Sequence, residues 1–144
     1  MQGILSNMER NVNLISQTLI ESAEQCTTTC QINTIVHDIG IRLCLEKYGD
    51  GNGKLQEKEG PALAEQMLSE LGFEKDVIER VSFLVGHHHT YTGIDGLDYQ
   101  ILVEADFLVN LFEGNTDTAH IRATYDNIFR TETGKKICRE MFGL

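Results

Sequence analysis

The chain contains one proline, Pro61, no cluster of Lys or Arg, and no histidine before His37. Each scarcity excludes something. With so little proline and few long β-branched runs, nothing argues against helices over most of the length. No run reaches the roughly 18 apolar residues that a membrane-spanning helix needs, so no membrane partner is expected. The N-terminus shows no short apolar core behind basic residues, so no secretion signal is read and the default location is cytoplasmic. With 12 Lys and Arg against 22 Asp and Glu, the net charge is -10, and the chain would repel a phosphate backbone. No nucleic-acid partner is therefore expected. A single phosphorylated metabolite is not excluded, because a bound metal ion reverses the local field.

What is present reads as an all-α protein of 144 residues, one compact helical domain over 1–144. Ile4, Met8, Val12, Ile15 and Leu19 recur at helical spacing and predict an amphipathic helix over about 3–24. Cys26 to Cys30 reads as a loop, followed by a short apolar helix through Ile32, Ile35 and Val36 into His37-Asp38. A further short helix follows from Ile41 to Lys47, and the segment Gly49 to Gly53 is a loop. Helices are then expected from near Glu59 to Leu71-Gly72, with Pro61 in the first turn, and from Asp76 to Val85. Leu97 to Phe112, a helix capped by Thr116 or Asp117 and running to about Arg130, and Gly134 to Phe142 complete the order. The run from Leu97 to Phe112 is apolar nearly all round, which suits a central helix or one that also meets a second copy of the chain in a homodimer.

Four cysteines, Cys26, Cys30, Cys44 and Cys138, are present. Cys26 and Cys30 make one pair with no second pair to complete four zinc ligands, so reduced, partly buried thiols are the preferred reading. Tyr48 to Glu59 resembles a twelve-residue calcium loop, with Asp50, Asn52, Gly53 and Glu59 at ligand or turn positions. Its first position, however, is Tyr48, and a Gly-rich loop at the mouth of a cleft is preferred.

The chemistry-bearing residues are the doublet His37-Asp38, the triplet His87-His88-His89, and Asp106, which with Glu104 interrupts an apolar run. Imidazoles and carboxylates are metal ligands, and a carboxylate in an apolar run is costly unless its charge is compensated. Glu104, two residues before Asp106, points away from it on a helix and is expected in a salt bridge or a partner contact. Arg42, Lys47 and Lys54 are the basic residues nearest the expected cleft along the sequence.

Three segments, Ile35-Val36-His37-Asp38-Ile39-Gly40, Val81 to Thr90, and Ile101 to Asp106, together resemble the HD-domain superfamily of metal-dependent phosphohydrolases. The resemblance covers about Val12 to Asn110 and implies a helical bundle. It implies a divalent metal ion (Fe, Mn, Ni, Zn or Mg) held by His37, Asp38 and Asp106, with His88 and His89 on a second ion or a phosphate. The family's motif places the first histidine of this pair seven residues after the position that Val81 matches, so the resemblance selects His88. Asp38 would orient or deprotonate a water in hydrolysis of a small phosphorylated metabolite or nucleotide. The sequence departs from the family in lacking its first histidine, whose matching place falls at Ser6, Asn7 or Met8, and in carrying Gln56 where a further histidine stands. Either the N-terminal part is incomplete, or the site is remodelled, or the domain is degenerate and serves binding or sensing. Ile41 stands where cyclic-dinucleotide phosphodiesterases carry a lysine, and their Gly-Tyr-Pro motif is absent.

Overall fold

The computed structural model describes residues 28–144, and no strand occurs among them. The protein is all-α. The expected helix over about 3–24, Cys26, and Ser6, Asn7 and Met8 lie outside the described residues. Seven helices are described: α1 (Thr28–Val36), α2 (Ile41–Tyr48), α3 (Gly53–Glu70), α4 (Lys75–Val85), α5 (Leu97–Glu113), α6 (Thr118–Ile128) and α7 (Glu132–Phe142). None is long and apolar enough to cross a membrane. The chain divides into two compact units, one ending at Gly93 and one beginning at Ile94.

In the first unit α4 packs on α1 and most extensively on α3, and α2 packs on α3. Val36, Ala64, Leu68, Val81 and Val85 form its buried core. The backbone approaches are close. A Cβ on Gly40 would lie 3.1 Å from the backbone nitrogen of Gly60, and one on Gly60 would lie 2.6 Å from Cγ1 of Val85. Two glycines therefore let the turn after His37-Asp38 sit directly on α3, and let α3 sit on α4.

Helix α3 begins at Gly53, six residues before the expected start near Glu59, because the Asn52 side chain caps it by accepting from the Leu55 N–H at 3.1 Å. Pro61 consequently lies inside the helix, not in its first turn, and cannot donate to the carbonyl of Glu57. Thr28 to Cys30 are helical and not loop, and Cys30, Cys44 and Cys138 are buried. Gly72 ends the α3 region in the left-handed conformation, φ +79°, as its position suggests.

In the second unit α5, α6 and α7 pack on one another around Leu108, Leu111, Ile121, Phe129 and Cys138. Asp117 caps α6 by accepting from the His120 N–H, and Thr131 caps α7 by accepting from the Gly134 N–H. Every residue from Ile101 to Asp106 on α5 is buried. Glu104 is among them, and among the described residues it meets amide and hydroxyl donors and no salt-bridge partner. Its fully buried carboxylate accepts from Gln100 Nε2, the backbone N–H groups of Arg130 and Thr131, and the Thr131 hydroxyl, at 2.5–2.9 Å. It binds the start of α7, where unpaired N–H groups and the helix dipole favour a negative charge.

Candidate metal centre

Two helix ends of the first unit supply the histidines and the aspartate. The C-terminus of α1 leads into His37-Asp38, and the C-terminus of α4 leads through Gly86 into His87-His88-His89. Carbonyl dipoles at helix C-termini favour a positive charge. His37 and His88 are 2% and 0% exposed, and Asp38 is partly buried.

The ring orientations are informative. His88 Nδ1 lies 2.9 Å from the Val85 carbonyl oxygen, which can only accept, so Nδ1 carries the proton. In the neutral ring Nε2 then holds the lone pair. It lies 3.5 Å from Asp38 Oδ1 and has no hydrogen-bond partner among the described residues, although it is buried. The His37 ring is oriented alike, with Nδ1 3.1 Å from the Thr34 carbonyl oxygen and Nε2 paired with Asp38 Oδ2 at 3.1 Å. The two rings meet edge to face, centroids 5.4 Å apart. Imidazole nitrogens held by backbone carbonyls, with their other nitrogens turned to a shared carboxylate, form a pocket of electron pairs that suits a cation. Burial works to raise the Asp38 carboxyl above the usual range. The neighbouring imidazoles, His37 first and His88 after it, outweigh it when they carry a proton toward the carboxylate, and they hold the group far below that range.

Asp38, His88 and His89 can hold a metal ion, since each offers a ligand atom within 4.8 Å of the other two. His37 touches Asp38 at the edge of this group. Asp106 lies on α5 in the second unit, 6% exposed. His87 turns away from the group: its ring stacks on Phe83 at 4.1 Å and its Nδ1 meets the Phe83 carbonyl at 2.6 Å. It helps line a cavity of about 750 Å³ along α3 and α4, with Pro61, Glu65, Phe73, Ile78 and Ser82, to which Asp38, His88 and His89 contribute nothing.

Residues of α3 hold the third ligand candidate in place. Glu57 accepts from the His89 backbone N–H at 3.0 Å and from the Thr90 hydroxyl at 2.8 Å, and it pairs with Lys54 at 2.9 Å. Gln56 Oε1 lies 3.3 Å from His89 Nε2. Gly53 leaves room for the ring, since a Cβ there would lie 2.6 Å from His89 Cγ. Burial, and then the neighbouring His88, depress the His89 imidazole to about 4, so the ring is neutral at ordinary pH. The roles of Glu57, Thr90 and Gly53 follow from contacts more than 30 residues apart along the chain, and local pattern carries no signal for them.

The basic residues near the loop separate. Arg42 pairs with Glu46 and Lys47 with Glu59, while Lys54 Nζ lies 3.2 Å from Thr90 Oγ1, beside His89. The calcium-loop reading of 48–59 meets other partners: Tyr48 and Lys47 both bond Glu59, and Asp50 bonds Asn52.

No protein-family model, curated protein or solved structure matches the chain.

Proposed function

We propose that the protein is a divalent-metal-dependent phosphohydrolase of the HD-domain type, acting on a small phosphorylated metabolite or nucleotide. Asp38, His88 and His89 would hold the ion, with His37, beside Asp38, as a further ligand. The observation that carries the reading is the buried His88 Nε2, a lone pair directed toward Asp38 without a hydrogen-bond donor to meet it. Two imidazoles and one carboxylate suit a borderline ion such as Zn, Fe, Mn or Ni better than Mg, which prefers all-oxygen sites. When bound, such an ion lowers the pKa of a coordinated water and neutralises phosphoryl charge. The chain's own contribution would be a carboxylate at Asp38 that stays ionised, able to orient a water or accept its proton, and an ammonium at Lys54 within reach of a phosphate beside Thr90. The cavity along α3 and α4 does not suit a phosphate, because Glu57, Glu65 and Glu79 line it against Lys75 alone.

A second reading is a binding or sensing domain that keeps the helices without the reaction. Gln56 favours it, since an amide lies beside His89 where the family carries an imidazole. Assay of the purified protein on a panel of phosphoesters with added manganese, nickel or iron tests the choice. Hydrolysis that disappears in Asp38→Ala supports the enzyme; absence of hydrolysis, with or without bound metal, contradicts it and supports the binding domain.

A further inference from the structure

The His89 ring differs from its neighbours in what fixes it. Gln56 is buried, 7% exposed, and its amide is oriented because Nε2 donates to the Gly51 carbonyl oxygen at 2.6 Å. A carbonyl only accepts, so the nitrogen end of the amide must face Gly51 and the oxygen end must face His89. That oxygen, 3.3 Å from His89 Nε2, is itself only an acceptor. The proton of the neutral ring therefore belongs on Nε2, and the lone pair on Nδ1.

We propose that Gln56 is a positioning residue that fixes the Nε2–H tautomer of His89 and so presents Nδ1, not Nε2, to the metal. The adjacent residue does the opposite: His88 donates from Nδ1 to Val85 and presents Nε2. Two consecutive histidines thus offer different ring nitrogens to one ion, and the loop from Gly51 to Gly53 determines which atom the second one offers. Gly51 anchors the amide, and Gly53 leaves space for the ring. The amide that replaces the family's imidazole acts through His89 and is not itself a ligand. The metal part of this inference rests on the function proposed above, whereas the tautomer is a property of the metal-free protein.

Nitrogen-15 NMR of histidine-labelled, metal-free protein at neutral pH reads the tautomers directly. The expected spectrum has His89 protonated at Nε2 and His88 at Nδ1; His89 protonated at Nδ1 overturns the proposal. Zinc titration of two variants then separates action through His89 from support of the loop. Gln56→Leu removes both the acceptor and the donor, and zinc binding should weaken by roughly 10–100-fold. Gln56→Glu keeps the acceptor and loses the donor to Gly51, and it should bind zinc at least as tightly as the parent, as carboxylates do behind metal-bound imidazoles. Equal losses in the two variants mean that only the Gly51 bond matters, and the proposal falls. If the parent binds no zinc, the metal reading falls, and the metal-free spectrum alone decides the tautomer.

Discussion

Single atoms decide whether the cation pocket exists. Gly53 has no side chain where any Cβ would lie against the His89 ring. Gly53→Ala should therefore push the ring aside and weaken zinc binding by roughly tenfold or more, in the range seen when supports of a metal ligand are lost. Calorimetric titration checks this, and an unchanged affinity would show that His89 is not held by this contact. The residue scale is also where the sequence is most and least legible. His37-Asp38 and the histidine triplet stand out because their chemistry is unusual next to Ile35-Val36 and Leu84-Val85. Glu57, which holds the His89 backbone, looks like any other acid on a charged stretch. Its role exists only because α3 and the turn after α4 come together.

Among the helices, two packings rest on substitutions that sequence pattern would call mild. Gly60 is the middle of α3, where alanine would ordinarily gain about 1 kcal/mol of helix propensity. A Cβ there meets Val85 Cγ1 at 2.6 Å, and overpacking of this kind costs about 1–3 kcal/mol, so the loss should win. Gly60→Ala should lower stability in urea denaturation, and a gain would mean that Val85 rotates away freely. In the second unit Glu104 ties α5 to the start of α7 through three acceptor contacts. Glu104→Gln turns one acceptor into a donor facing an N–H or O–H group, which should cost about 1.5–3 kcal/mol, the range for hydrogen bonds to a charged group. Equal midpoints for parent and variant would contradict the capping role. The limits of α2, α5 and α6 are readable from periodicity and caps within a few residues. The start of α3 is not, because the glycines of 49–53 and Pro61 both argue locally for a later beginning while Asn52 caps the helix where it starts. The donors that Glu104 meets are hidden for a related reason: on its own helix it is a charge among apolar residues, and three of its contacts come from Arg130 and Thr131.

The stability of the metal-free molecule should fall at both ends of the pH range. The folded protein protonates His89 only near 4, below the ordinary 6.5, so its contribution is complete above 6.5 and is lost as the pH falls toward 4. Asp38, held far below the carboxylate range, acts in the same direction at still lower pH. At the alkaline end, burial and then the Glu104 charge raise the Cys138 thiol to about 11. Its contribution is complete below 9.0 and is lost between there and 11. Thermal melting from acid to alkaline pH in the presence of a chelator checks both limbs, and a flat acid limb would argue against a neutral, buried His89. Divalent metal should protect the acid limb, because protons and metal compete for the same nitrogens. The all-α class is legible from the whole sequence, since the composition leaves little else. The meeting of residue 38 with residues 88 and 89 depends on α1 packing against α4, which no local pattern encodes. Elemental analysis of the purified chain beside Asp38→Ala is the most direct test of the cation pocket. The parent should retain about one divalent transition ion or more per chain, and the variant should retain far less. A parent that binds no metal after incubation with zinc, manganese, nickel or iron, while remaining folded, would contradict it.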